Sequence, residues 1–472
     1  MDTISNPPFP KWVDPALIAK YSAPRPRYTS YPTAPHFKDG FSETDVISAH
    51  RRTVAAAAPL GLYMHLPFCR SLCTYCACHR KITQSRETIA RYLTYLRNEL
   101  ALVGSWVGRP VQRIHWGGGT PTYLSADEVR HLMHAIRQEF DVLPNARLNI
   151  EADPRELSGS YMDTLADVGF RRVSFGVQAF DVAVQEAIGR VQSPALVGQA
   201  VKDARAAGFN RINFDLIYGL PHQTLATVDQ TLEHVARMSP DSLSVFGYAH
   251  VPWMMKNQRL IPSDALPGPE ERVALFLRLA NGLQDAGYVP IGMDHFAKPG
   301  HPLVRGLQRG TIHRNFQGYT LHPSMEVLGF GVSAISQFPD AYSQQVKGFR
   351  SYYGALDEGR LPIARGLRLT REDRRRRHVI NQLMCQMRID KANIQPVLRE
   401  PFDVHFADAL EQLKPMAIDG LVQLNEHTID VTPVGRVLIR SVAAAFDAYL
   451  KPAPSSPVPE SRQPTARHSA AV

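Results

Sequence analysis

The 472-residue chain has no unbroken apolar run of the length a membrane-spanning helix needs, so no bilayer-crossing segment is expected. Its first residues, MDTISNPPFPKWVDP, lack a basic stretch leading into an apolar core, and no secretory signal is expected. Cysteine is scarce: there are five, and four of them (Cys69, Cys73, Cys76 and Cys78) crowd the loop FCRSLCTYCACHR. A cytoplasmic location is expected, and in that reducing compartment a dense thiol cluster binds metal or does redox chemistry rather than forming disulfides. The glycines of GGGTPT (117–122) are not followed by Gly-Lys-Ser/Thr, which excludes a triphosphate loop. Long tracts of one charge are also missing, although the net charge is +9. The densest basic run, Arg371 to Arg377, contains two acids and reads as a solvated helix face. A basic excess of this kind suits a small polycarboxylate as well as a nucleic acid.

From residue 61 onward, short apolar runs alternate with amphipathic ones. LYMHLPF, QRIHWGG, RLNIEAD, RRVSFGVQ, RINFDLIYG and SLSVFGYAH read as strands, rich in branched or aromatic residues and mostly closed by Gly, Pro or Asp. ETIARYLTYLRNELALV, SADEVRHLMHAIRQEF, ALVGQAVKDARAAG and TVDQTLEHVARM read as helices, and Ser125 with Glu128 forms a capping-box signature. Six strand–helix units in series predict an α/β fold, a partial (β/α)6 barrel, with an open doubly wound sheet as the alternative. The cysteine loop follows the first strand and GGGTPT the second. Glu151 and Asp153 end the third strand, Gln178 ends the fourth, Asp215 lies in the fifth, and Tyr248 and His250 close the sixth. Parallel barrel strands bring such carboxyl ends onto one face, where barrel enzymes keep their sites.

The expected segments are an extended N-terminal one (1–60), the barrel-bearing catalytic domain (61–365), a small mostly helical, winged-helix-like C-terminal domain (366–451) and a Pro/Ser-rich disordered tail (452–472). Cys385, in the apolar helical context NQLMCQMRI, is expected to be a buried core residue.

The spacing C-x3-C-x2-C-x-C leaves two metals open. Structural zinc uses two separated cysteine pairs, whereas here all four thiols share one loop. Three thiolates on a short loop suit three corners of a [4Fe–4S] cube, with the fourth iron left for a ligand.

The C-x3-C-x2-C loop after the first strand of a β/α series resembles that of the radical S-adenosylmethionine (SAM) enzymes. YMHLPFCRSLCTYCAC, HWGGGTPTYL, IEADPREL, FGVQAF, DLIYGLPHQT, VFGYAHVP, GMDHFA and HRNFQGYT, with the N-terminal PRYTSYPTA, are similar in order and interval to the oxygen-independent coproporphyrinogen III oxidases, over about residues 20 to 450. The resemblance implies that Cys69, Cys73 and Cys76 hold the cluster, and that Cys78 is needed for activity without being a ligand. It further implies that Tyr63, Tyr75, Gly118, Glu151 and Ile335 contact a cluster-bound SAM. Gly119, Thr120, Gln178, Arg190, Asp215 and Ala249 would line a second SAM pocket, giving two SAM molecules per active site. The family commonly has glycine where this chain has Ala77; a positive φ there would make alanine costly. The implied reaction converts two propionates of coproporphyrinogen III to vinyl groups, giving protoporphyrinogen IX in porphyrin biosynthesis. A 5′-deoxyadenosyl radical takes the hydrogen atom, and Cys78 and Glu151 are the candidate catalytic residues.

Arg25, Arg27, Tyr28, His313 and Arg314 are candidate carboxylate binders. A flavodoxin or ferredoxin is the expected electron donor, with an acceptor not identified; a monomer that binds no nucleic acid is expected. Two rival readings are a radical-SAM-like haem chaperone and a radical SAM methyltransferase acting on haem. Cys78 and the PRYTSYPTA segment argue against the chaperone.

Overall fold

A computed structural model describes residues 6–54, 59–321 and 326–450. Every strand-like run of the alternation is a strand: β1 (Leu60–Leu66), β2 (Val111–Gly118), β3 (Val142–Ala152), β4 (Arg172–Gln178), β5 (Arg211–Tyr218) and β6 (Ser242–Gly247). Between them run α1 (Arg86–Val107), α2 (Ala126–Glu139), α3 (Gly159–Asp167), α4 (Pro194–Ala206) and α5 (Leu225–Met238), among shorter helices. Ser125 Oγ accepts from the Glu128 amide at 3.2 Å and Glu128 Oε2 accepts from the Ser125 amide at 2.7 Å, so the capping box forms. Ser125→Ala is expected to lower stability by about 1 kcal/mol, to be read as a shift in the denaturant midpoint.

β1 to β6 lie side by side in chain order, each parallel to the next. A doubly wound sheet would reverse its order at a switch point, so that alternative falls. Val327–Phe330 adds a parallel strand beside β1, and antiparallel strands extend both edges to thirteen among the described residues. The ends of this series do not pair, so the barrel is partial. Alternate positions of several strands (Arg113 and His115, Arg147 and Asn149, Arg172 and Ser174, Arg211 and Asn213) line one interior cavity, while the apolar residues between them, such as Ile114, Leu148, Phe175 and Phe214, are buried in the core.

The N-terminal part is less extended than expected. A helix over Pro15–Tyr21 is capped by Asp14 and begins with proline, and one over Glu43–Val54 is opened by reciprocal Ser42–Asp45 bonds. The stretch between them, with PRYTSYPTA, is irregular apart from a 3-10 turn over Ala34–His36 and a two-residue strand, Lys38–Asp39, at the edge of the main sheet. After the strand Ile363–Arg368 come a helix over Arg371–Gln386, several shorter ones and an antiparallel three-stranded sheet. Cys385 is fully buried. The tail 452–472 lies outside the described residues, and among these no helix is long and apolar enough to cross a membrane.

Candidate active site

The cysteine loop sits at the carboxyl end of β1 and is tied down from outside itself. Asn257 Nδ2 donates to the carbonyls of Thr74 at 2.8 Å and Cys76 at 2.9 Å, and Gln258 Nε2 donates to those of Tyr75 at 2.8 Å and Ala249 at 3.0 Å. Both amides lie in a 3-10 turn beyond β6 that no sequence motif marks. A loop without its own secondary structure needs such partners to satisfy its backbone and fix its shape.

Donors also converge on the sulfurs. Thr120 Oγ1 lies 3.3 Å from Cys69 Sγ, the Cys78 amide 3.4 Å from Cys76 Sγ, and Arg190 Nη1 3.8 Å from Cys73 Sγ. Hydrogen bonds from Cys78 hold the Cys76 thiol down to about 6, toward the thiolate that binds iron, whereas burial pushes the Cys69 thiol up to about 11 against its bond from Thr120. Among the described residues no group of three or more His, Cys, Asp or Glu side chains gathers as it would around a single ion. A loop that brings four thiols to one cavity wall among N–H and O–H donors, without gathering three of them around a point, fits a polynuclear cluster better than a tetrahedral zinc site. Ala77 is not at positive φ, so alanine is unstrained there.

A cavity of ≈ 340 Å³ faces the loop, and its walls include Cys69, Cys73, Tyr75, Cys76 and Cys78. Gly118, Gly119, Thr120 and Glu151 add to them from β2 and β3, and Gln178, Arg190, Asp215 and Ala249 from beyond. Tyr63 and Ile335 stand apart, in an adjoining cavity of ≈ 300 Å³ that shares Cys78, Gly118 and Glu151 with the first. All the candidate cluster and SAM positions are thus on two cavities that meet at Glu151.

Glu151 Oε1 lies 3.0 Å from His115 Nε2, and Oε2 accepts from the Gly118 amide at 3.2 Å. Burial pushes its carboxyl up, but the imidazole and the amide outweigh that and hold it below the usual carboxylate range. It therefore presents a carboxylate to whatever fills the cavities. Gly117 makes this possible: a Cβ there would stand 2.7 Å from Glu151 Oε1. Gly118 has φ +120, and a Cβ would meet the His65 ring at 2.9 Å. Gly118→Ala is expected to cost roughly 1–3 kcal/mol of stability, measured by thermal unfolding.

Asp215, by contrast, has its carboxyl raised by burial, although it accepts from Ser174 Oγ and Asn213 Nδ2, each at 2.9 Å. Gln178 is held at φ +68, a strained conformation for a residue with a side chain. Arg190 anchors that corner: it pairs with Asp153 at 2.9 Å and donates to the Gly176 carbonyl from Nη2 at 2.8 Å.

Comparison with known proteins gives these features a context. Residues 63–235 match the radical SAM superfamily and residues 369–438 the HemN C-terminal domain. The oxygen-independent coproporphyrinogen III oxidase of Synechocystis is 41% identical over 92% of this chain and 95% of its own length. That of Escherichia coli K12 is 42% identical over 93% of this chain and 96% of its own. The chain belongs to the oxygen-independent coproporphyrinogen III oxidase family. The solved structure of the Escherichia coli coproporphyrinogen III oxidase, a radical SAM enzyme, aligns with a TM-score of 0.88 at 41% identity, covering 93% of this chain and 99% of that one. The family carries a [4Fe–4S] cluster and SAM, and the fold is the radical SAM barrel with N- and C-terminal additions.

Membership in this oxidase family directs attention to the carboxylate-binding candidates. Arg314 is engaged by Asp294, with contacts of 3.0 and 3.2 Å, and Arg27 donates to the Gly247 carbonyl at 2.6 Å. Tyr28 donates to Asp447 at 3.1 Å. Tyr28, His313 and Arg314 border a separate cavity of ≈ 650 Å³ with Arg374 and Arg377 from the C-terminal part.

Proposed function

We propose that this chain catalyses the oxygen-independent oxidative decarboxylation of two propionates of coproporphyrinogen III, giving protoporphyrinogen IX. The observation that carries the reading is the pinned, donor-lined four-thiol loop on the same cavities as Glu151, in a chain aligned with this oxidase family over nearly its whole length. Each propionate loses a hydrogen atom from its β-carbon, then carbon dioxide and one electron, and keeps a vinyl group. The bound cofactor would supply the acceptor for the hydrogen atom, and an external acceptor would take the electron.

Cys69, Cys73 and Cys76 would hold the cluster, leaving Cys78 near the reacting groups. When bound, the reduced cluster and SAM supply hydrogen-atom abstraction from an unactivated carbon. The chain's own residues position and shield. Glu151 offers its carboxylate, aligned by His115 and Gly118. Tyr63 and Ile335 cover one side, Tyr75 the other. Gly119, Thr120, Gln178, Arg190, Asp215 and Ala249 suit a second SAM molecule, one for each propionate. The barrel wall excludes water from the radical chemistry. We read residues 61–365 as the catalytic unit with 366–451 appended, in a cytoplasmic monomer reduced by a flavodoxin or ferredoxin.

Anaerobic turnover of the reconstituted, reduced protein with SAM and coproporphyrinogen III tests this, in cell extract that supplies an electron acceptor. Chromatography is expected to show protoporphyrin. Cleavage of SAM without decarboxylation, or tight haem binding in its place, would overturn the reading in favour of a methyltransferase or a haem chaperone.

A further inference from the structure

Four consecutive barrel strands carry the same five-residue pattern: RIHWG (113–117), RLNIE (147–151), RVSFG (172–176) and RINFD (211–215). Each reads arginine, apolar, polar, apolar, then glycine or an acid. With a side-chain period of two, the first, third and fifth positions share a face. Here that face is the inside of the barrel, where a cavity of ≈ 410 Å³ is bordered by Arg113, Arg147, Arg172 and Arg211 at one end and by Glu151 and Asp215 at the other. Register pairs Arg113 with Arg147 and Arg172 with Arg211; between these pairs Arg172 stands opposite Asn149, two residues along from Arg147, and still feels the charges of Arg147, Arg113 and Arg211. At four residues along a strand, the arginine layer lies about 13 Å below the two carboxylates.

Barrels of this size are ordinarily filled by branched apolar side chains. Four guanidiniums on one layer repel one another, and none of the four is in an ion pair among the described residues. Arg113 donates to Thr320 Oγ1 at 3.2 Å and Arg211 to the Asn210 carbonyl at 2.9 Å, while Arg211 Nε has no partner. Burial, then the neighbouring guanidiniums, push Arg113 and Arg172 down to about 10, the mark of a cationic layer without its counter-charge. Arg314, which faces the same cavity, has Asp294 and is neutralised. The two acids in the cavity are far off and already engaged, Glu151 by His115 and Asp215 by Asn213 and Ser174.

We infer that Arg113, Arg147, Arg172 and Arg211 form a carboxylate-binding layer deep in the barrel, which anchors propionates of the tetrapyrrole remote from the one that reacts. The inference rests on the proposed reaction. A tetracarboxylate macrocycle has its acid groups on opposite edges, so holding one edge at the arginines presents the other to the cavities at Glu151. Guanidinium suits the task, because its paired donors match a carboxylate. Two propionates must react in turn, and the layer provides a fixed far contact for either orientation.

The test uses reconstituted holoprotein and its Arg147→Gln/Arg172→Gln variant. Fluorescence titration with coproporphyrin III, the oxidised tetracarboxylate, is expected to show binding at least about tenfold weaker in the variant. Its salt dependence should be reduced, and cluster absorbance and SAM binding unchanged. KM for coproporphyrinogen III is expected to rise more than kcat falls, and the ligand-free Tm to hold or rise as repulsion is relieved. If the double variant loses its cluster, Arg172→Gln and Arg211→Gln are read singly, each expected to bind coproporphyrin III weaker by about threefold or more. Equal binding by wild type and variants overturns the layer, and so does failure of the wild type to bind coproporphyrin III. The two readings separate: wild-type turnover with unchanged KM in the variants removes the layer and keeps the reaction. Arginine-dependent binding without turnover does the reverse.

Discussion

Cys73→Ser is expected to leave a folded protein that binds no [4Fe–4S] cluster and forms protoporphyrin only at the rate seen without enzyme. Removing a partner from the outer shell of a metal site costs roughly 10–100-fold; loss of Cys73, a proposed ligand, should exceed that. Cys73 is buried beneath the two arginines that face its sulfur, Arg190 at 3.8 Å and Arg155 at 4.0 Å. A serine hydroxyl there is a hard, protonated donor in a site built for a thiolate. The measurement is iron and sulfide content with the visible absorption of the anaerobically reconstituted protein, alongside turnover. Cys78→Ser is the informative partner. It is expected to retain the cluster and lose turnover, and a variant of Cys78 that fails to assemble the cluster would count Cys78 among the ligands instead.

Arg190→Met is expected to lower stability by about 3 kcal/mol, at the low end for breaking a buried ion pair because Arg155 remains beside Asp153 at 2.7 Å. The Arg190 and Asp153 side chains are only 9% and 6% exposed, so the abandoned carboxylate has little water to turn to. The Gly176 carbonyl also loses Nε and Nη2, although Gln192 Nε2 still reaches it at 3.2 Å. The strained backbone at Gln178 depends on that support, and SAM binding is expected to weaken with stability. Thermal unfolding and equilibrium dialysis of apo and reconstituted protein measure both. Arg190→Lys keeps the charge without the fork and is expected to fall between wild type and Met. A variant as stable as wild type would show that Arg155 alone satisfies Asp153.

The strands and major helices of the barrel are legible in sequence because their signals are local. Branched and aromatic runs of strand length, amphipathic runs of helix length and one capping box mark β1 to β6 and their helices, and the thiol spacing marks the cluster loop. Chain order alone even places the loop, GGGTPT, Glu151 and Asp215 near one another, since parallel strands share their carboxyl ends. The helices over Pro15–Tyr21 and Glu43–Val54 are also written locally, by Asp14–Pro15 and by Ser42–Asp45, but the proline-rich stretch between them dominates the composition of that segment.

What only tertiary structure decided depends on contacts distant in sequence. Asn257 and Gln258 clamp a loop about 180 residues earlier, and no pattern in either segment announces the pairing. The division of the candidate residues between two cavities meeting at Glu151 follows from how the strand that begins at Ile335 folds back on Val327–Phe330, the neighbour of β1. The arginine layer lies between these cases. Its five-residue pattern is visible in the chain, yet alternation cannot say which face of a strand turns inward, nor which residues become neighbours. Curvature of the sheet and the register between strands bring four like charges together, at a cost in repulsion that an anionic ligand would offset.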